Sequence, residues 1–385
     1  MAGKWLHNAL TYPVEALTVP HEHDAVVLSK PPAGVMHTTE GTFNAALDVF
    51  KVHFAPHFLV GASRIVQFVP LGTIAAALQH PPGGVETNRW ARVQIEVVAY
   101  SKMESWRPDQ PTFDRLAALV ATLERVAGIP LRRPWPDQLD AGTTWAATNN
   151  PRRQNSKWGK EPGWFGHVEI PGNTHWDPGS LRYGALFERA KELRAAYAFL
   201  QLEQFLRRYG VIRRAAWGAR SAAIPRTPAN LAWDYDTIVV HHTGRSGSSD
   251  PKAIQAKHMD KNHWSDVGVH FMIGPEGRIY EGRSLLFKGA HVRDANTGKV
   301  GVLVMGDFEP EFLGLLGGKP DPRQLASLKR LAGGLKELFP GIRTLGGHKD
   351  FDRATVCPGR RLYPYLGGLR SALGLEAPKV SAAKP

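Results

Sequence analysis

One cysteine, Cys357, is all that 385 residues provide. An internal disulfide framework is therefore excluded, and the thiol is left as a metal ligand, a nucleophile or a buried packing residue. Long apolar runs are missing too: no stretch approaches about 18 consecutive apolar residues, so nothing supports a membrane span. The opening segment MAGKWLHNALTYPVEALTVP has one lysine and no apolar core closed by a small-residue cleavage site. It does not read as a secretory signal, and synthesis in a cytoplasm is expected. Acidic residues are the scarcer charge, 35 Asp and Glu against 48 Lys and Arg, for a net charge of +13. That balance suits an anionic partner, either nucleic acid or a cell wall rich in carboxylates and phosphates. No nucleic-acid motif occurs along the chain, so no nucleic-acid partner is expected. On charge alone, general solubility is the plainer reading.

What is present is an ordinary globular composition, 43% hydrophobic and 22% charged. The length is generous for one compact domain and comfortable for two. Residues 26 to about 178 alternate β-like runs with helical patterns. AVVLSKPPAGVMHTTEG holds a strand ending near a His-Thr pair, HFLVGASRIVQFV a strand pair around a Gly-Ala-Ser turn, and VQIEVVAY another strand. FDRLAALVATLERVAG reads as an amphipathic helix closed by Gly128.

The series then recurs. TIVVHHTGRSG is a strand ending on His241 and His242, HFMIGPEGRIYEG a hairpin, KVGVLVMGDF a buried strand and RQLASLKRLAGGLKELF a helix. Each half closes on a histidine, a loop and Pro-Gly: GHVEIPGNTHWDPG, then GHKDFDRATVCPG. HFLVGASRIVQFV and HFMIGPEGRIYEG align without a gap, and four matched segments in one order argue for a duplicated fold. Between the halves, YGALFERAKELRAAYAFLQLEQFLRRYG has helical periodicity. These features predict an N-terminal domain over 1–182, a connecting helix over 183–211, a C-terminal domain over 212–374 and a loose tail over 375–385. The fold class expected is α/β, with a central mixed sheet flanked by helices in each half.

Zinc sites favour histidine, cysteine and carboxylate ligands, and catalytic ones keep a position open for water. In the second half the candidates are His241, His348 and Cys357. In the first, the equivalent positions are His37, His167 and Asp177. A lone cysteine near a histidine is weak evidence, and a buried thiol is its plain reading. A packing cysteine, however, is replaced more naturally by Ala, Val or Ser than by aspartate. Keeping the ligand class between the halves therefore favours a metal.

In order, TIVVHHTGRSG, VGVHFMIGPEGRIYEGR, KGAHV with Asn296, KVGVLVMGDF and GHKDFDRATVCPG resemble the peptidoglycan recognition protein and type-2 amidase family. RRAAWGAR resembles that family's entry segment, and the likeness spans roughly residues 212–366. About residues 25–180 are more loosely similar to anhydro-muramyl-peptide amidases of the same superfamily and to lysin amidases of actinobacterial phages. The resemblance implies one Zn2+ per half, on His37, His167 and Asp177 and on His241, His348 and Cys357. It also implies catalytic roles for Glu96, His175 and Thr355, with His242, Trp264, His291 and Asn296 touching substrate.

Glu96 lies on the more polar face of its strand, where a half-exposed carboxylate is common. The resemblance makes it the proton shuttle, and His175 the stabiliser of a developing oxyanion. The second half departs from the pattern twice: Val269 stands where active relatives place a tyrosine, and Leu303 where the first half has Glu96. Either this half binds zinc and muropeptide while hydrolysing slowly, or it recruits a different acid–base residue such as His242 or Asp266.

The reading that follows is a zinc amidase acting between N-acetylmuramic acid and L-alanine of bacterial peptidoglycan, with the anionic wall as partner. A phage-type endolysin, synthesised in the cytoplasm and acting on the wall after release, suits the tandem build and the charge. The alternatives are a non-catalytic recognition protein that binds muropeptides, and an amidase toxin delivered to rival bacteria.

Overall fold

The computed structural model describes residues 3–19, 24–78, 82, 86–100, 108–135, 153, 156–179, 181–223, 235–246, 249–310 and 318–379. The chain divides into two compact α/β units, residues 1–197 and 198–385.

The strands of the first unit are β1 (Asn8–Ala9), β2 (Tyr12–Ala16), β3 (Ala33–Thr38), β4 (Phe58–Val60), β5 (Ile65–Gln67), β6 (Ala91–Val97) and β7 (Gly163–Gly166). They lie in the order β1-β2-β5-β4-β6-β3-β7. β3 runs parallel to β6 on one side and β7 on the other, β4 is parallel to β6, and β4 and β5 form an antiparallel hairpin. All six residues of β3 are buried, as expected of an inner parallel strand covered on both faces.

Helix α1 (Phe43–Val52) starts on Thr42, whose hydroxyl accepts from the Ala45 N–H. Helix α2 (Gln110–Ala127) is capped by Asp109 at one end and by Gly128 at φ 69° at the other. Glycine takes that left-handed conformation without a Cβ penalty. Its middle, Leu116 to Leu123, is buried throughout and packs with Val93, Ile95 and Val97 of β6 in the first core. An apolar run that long on a helix calls for burial on most of its faces.

Helix α3 (Tyr183–Arg208) places Leu186, Phe187 and Ala190 in the first core and Leu202, Phe205 and Leu206 in the core of the second unit.

The second unit is built from β8 (Thr237–His242), α4 (Pro251–Ala256), β9 (Phe271–Ile273), β10 (Ile279–Glu281), β11 (Lys299–Val304), α5 (Pro322–Leu338), β12 (Thr344–Gly347) and α6 (Tyr365–Leu373). Its sheet order is β10-β9-β11-β8-β12. Strands β9, β11, β8 and β12 are parallel neighbours, and β9–β10 is the antiparallel hairpin. Strand for strand, this repeats β5-β4-β6-β3-β7 in order and in sense. The first unit adds β1 and β2 at the outer edge, which no periodicity in the N-terminal sequence announces. Residues 380–385 of the expected loose tail lie outside the described residues. Its beginning is packed: Leu375 is buried in the second core and Glu376 pairs with the backbone of Arg343 and Leu345.

No described helix is long and apolar enough to cross a membrane.

Candidate metal centres

In open α/β sheets, sites gather beyond the carboxyl ends of parallel strands, and both clusters lie there. His37 is the penultimate residue of β3, Glu96 that of β6, and His167 follows β7 directly. Asp177 arrives on the loop after His167, bonded to it through Val168 N–H and the Asp177 carbonyl at 2.8 Å. His37 Nδ1 and His167 Nδ1 are 3.0 Å apart. His167 Nδ1 is 3.2 Å from Asp177 Oδ1, and His37 Nδ1 is 3.5 Å from Asp177 Oδ2. A tetrahedral zinc site with bonds of 2.0–2.1 Å has ligand–ligand edges of about 3.3 Å. Three buried donors that converge at that spacing fit a cation.

Two of the three donors have the charge state that a cation needs, while on His37, in the metal-free protein, burial is outweighed by its partners, Asp177 foremost and then Glu96, which raise it. Burial opposes charge on Asp177, yet His167, His175 and His37 hold its carboxyl well below the usual range. Burial pushes His167 down to about 4, so it is neutral. An ionised aspartate and a neutral histidine are the forms that bind metal. Burial raises Glu96 to about 7. Its Oε1 is 4.0 Å from His37 Nδ1, and its Oε2 is buried with no protein partner. The His175 ring stacks on His167 with centroids 4.2 Å apart, its Nδ1 3.4 Å from Asp177 Oδ1, and its side chain remains 42% exposed.

The second cluster has the same placement at the ends of β8 and β12. His241, His348 and Cys357 each offer an atom within 4.8 Å of the others, and the Cys357 Sγ to His241 Nδ1 distance is 3.7 Å. His348 Nε2 is buried without a protein partner. Burial pushes the Cys357 thiol up to about 12, so without a cation it is a poor nucleophile. The raised thiol argues against the nucleophile reading, and the convergence of Cys357 with His241 and His348 fits a cation.

The remaining candidates divide. His242 donates its backbone N–H to Cys357 Sγ at 3.4 Å and accepts at Nδ1 from Phe308 N–H. It also lines a groove of about 510 Å³ with Leu303, His258, Lys257 and Lys261. Trp264 is 36% exposed and borders a second hollow of about 360 Å³ beside His348 and Asp352. His291 and Asn296 also border that hollow, but their polar atoms turn inward. His291 Nδ1 lies 3.0 Å from His241 Nε2, and Asn296 Oδ1 accepts from the His291 and Val292 backbone. The structure thus has His291 orienting His241, and Asn296 shaping the loop that carries His291. Thr355 Oγ1 accepts from Cys357 N–H at 3.1 Å, which places it beside Cys357 with its own O–H still able to donate. Asp266 is fully buried and accepts from Gln255, Arg214 and Val267 N–H, contacts that hold the surrounding loops and turn it away from an acid–base role. Val269 and Leu303 are both buried and apolar.

Sequence reasoning missed His258, held by Gly268 N–H at its Nδ1 and lowered to about 4 by burial. It also missed the carboxylates that hold the histidine loops. Glu169 Oε2 accepts from Gly166 N–H and Asp350 Oδ2 from Gly347 N–H, each at 2.8 Å. Both stand two residues after the ligand histidine, in GHVE and GHKD, a coincidence that was there to be read. Arg153, which bonds the Val168 and His175 carbonyls, had no signal beyond its charge.

An α/β sheet with a His/His/Cys donor set at the carboxyl ends of its strands, opening on a groove, defines the class of the second unit. The family model for N-acetylmuramoyl-L-alanine amidase matches residues 232–360. Peptidoglycan-recognition protein SC2 of Drosophila melanogaster is 31% identical over 163 residues, 40% of this chain and 82% of that protein. The N-acetylmuramoyl-L-alanine amidase of Sus scrofa is 29% identical over 173 residues, 43% of this chain and 28% of that protein. Among solved structures, N-acetylmuramoyl-L-alanine amidase LysC from Clostridium intestinale is 26% identical with a TM-score of 0.37, covering 43% of this chain and 98% of that one. The chain belongs to the type-2 N-acetylmuramoyl-L-alanine amidase and peptidoglycan recognition protein superfamily.

Proposed function

We propose that the protein is a zinc-dependent hydrolase that cuts the amide between N-acetylmuramic acid and L-alanine in peptidoglycan, and that the cutting is done by the first unit. The observation that carries this is the contrast at one register position. Glu96, with an unpartnered buried oxygen, faces His37 in the first sheet, and Leu303 faces His241 in the second. His37, His167 and Asp177 would hold the first zinc, and His241, His348 and Cys357 the second. A zinc ion held there supplies Lewis acidity that sharpens both a water nucleophile and the scissile carbonyl. Glu96 Oε2 accepts the proton of the attacking water and returns it to the leaving nitrogen. His175, at the exposed rim beside Asp177, donates to the developing oxyanion.

The second unit, with no carboxylate at the Leu303 position, holds muropeptide in the groove bordered by His242, His258 and Lys257, and so keeps the first unit on its polymer. A chain of net charge +13 is retained by an anionic wall, which favours the endolysin reading of its use.

Mass spectrometry of purified peptidoglycan digested by the zinc-loaded protein tests this. Free stem peptides with an L-alanine amine, abolished by chelation and restored by zinc, are expected. Release of disaccharides or of cross-link fragments alone would refute it.

A further inference from the structure

Gln94 and Gly301 occupy the same register position in the two sheets, two residues before Glu96 and Leu303 respectively. Each is placed by the same backbone bond. Gln94 N–H donates to His57 Nδ1 and Gly301 N–H to His270 Nδ1, both at 3.0 Å. The opposite ring nitrogens, His57 Nε2 and His270 Nε2, donate to the Thr73 and Phe287 carbonyls, again at 3.0 Å. Around this shared frame the side chains have been exchanged. A Cβ on Gly301 would sit 2.7 Å from the His291 ring, and that ring occupies the space in order to reach His241 Nε2. In the first sheet the glutamine side chain fills the corresponding space itself.

The orientation of that side chain is fixed. Gln94 Nε2 donates to the Ala75 carbonyl at 2.7 Å and to Asn88 Oδ1 at 2.9 Å. Flipping the amide would set its oxygen against two acceptors, so Oε1 must point the other way. Gln94 Oε1 is buried with no other partner, and so is His37 Nε2. Gln94 is paired with Val35 on β3, which puts its side chain on the same face as His37 and diagonal to it, within reach of a long side chain. A buried N–H and a buried carbonyl oxygen left unsatisfied would each cost about 1–3 kcal/mol.

We infer that Gln94 is the positioning residue of the first cluster: its Oε1 accepts from His37 Nε2–H and thereby leaves His37 Nδ1 bare to face His167 and Asp177. It does for His37 what His291 does for His241, from a different element and with different chemistry. Metal-ligating histidines generally carry such an outer partner, which fixes tautomer and ring orientation. The inference rests on the reading that the first cluster binds zinc.

Two measurements on the full-length chain test it, in a Cys357→Ala background so that the first cluster alone takes up metal. With 15N-labelled histidine, the zinc-loaded protein should show His37 protonated at Nε2, with a hydrogen-bonded Nε2–H that is lost in Gln94→Met; a bare Nε2, or an Nε2–H that this substitution leaves unchanged, overturns the inference. Zinc titration should then show one ion bound, with affinity falling about 10–100-fold in Gln94→Met, while far-ultraviolet dichroism stays unchanged. Equal affinity in Gln94→Met overturns the role of Gln94 and leaves the metal reading standing. No zinc bound in the Cys357→Ala chain overturns the metal reading itself, and this inference with it.

Discussion

Glu96 and Leu303 hold the same place in two sheets of the same strand order, each in register with the first histidine of its cluster, His37 and His241. Two donor sets of matched placement are thus set beside opposite chemistry, a half-buried carboxylate in one and an isobutyl group in the other. The following expectations come from that asymmetry and from the contacts that support each cluster.

Metal content should be two zinc ions per chain, one lost in Asp177→Ala and the other in Cys357→Ala. Each ion binds only the folded form, so zinc at 100 times its dissociation constant adds about 2.7 kcal/mol per site. Thermal unfolding with and without chelator, for the parent and both variants, checks this. A single ion that disappears only in Cys357→Ala would remove the first site.

The loop that carries His167 hangs on a buried ion pair. Arg133 donates to Glu169, whose other oxygen caps Gly166 N–H, and also to the Trp164 carbonyl. Arg133→Met removes the buried guanidinium facing Glu169 and should destabilise the first unit by about 3–5 kcal/mol. Denaturant unfolding gives the stability. Zinc titration should show weakened binding at the first site only.

Much of this architecture was legible because chemistry that must sit at a strand end leaves a local mark. His37 and His241 close apolar strands, and Gly-His followed by a loop and Pro-Gly recurs. The HFLV/HFMI alignment carries His57 and His270 to the same backbone bonds. The position of Glu96 against Leu303 followed from counting along two aligned strands. Less was legible where partners are distant in sequence. Nothing local says that His291 reaches the back of His241, 50 residues away, or that Asn296 spends its oxygen on the His291 loop, so both read as substrate contacts. β1 and β2 are short edge strands whose pairing is set by the rest of the sheet. Leu375 was counted as tail because its burial depends on α6 and the neighbouring core.

Gly301→Ala should damage the second cluster alone. The added methyl meets His291 at 2.7 Å, and the ring must shift away from the His241 Nε2 it contacts. Loss of an outer partner costs about 10–100-fold in metal affinity. Zinc titration of Asp177→Ala, with and without Gly301→Ala, isolates the effect; unchanged affinity would mean that His291 is not needed for the site.

Retention on the wall should be strongly salt-dependent. With a net charge of +13, binding to intact sacculi should weaken severalfold between low and physiological ionic strength, as the screening length shortens to about 8 Å. Pull-down on sacculi at graded salt reads this. Retention that is indifferent to salt would place the affinity in the grooves instead of the surface charge.

The most direct test of the account is the rate of release of stem peptides bearing a free L-alanine amine, compared between Glu96→Gln and Cys357→Ala at equal first-site zinc content. The account predicts a fall of about 10²–10⁴-fold in Glu96→Gln with zinc retained, and near-parent turnover in Cys357→Ala. Full activity in Glu96→Gln, with loss in Cys357→Ala, would contradict it and move the chemistry to the second unit.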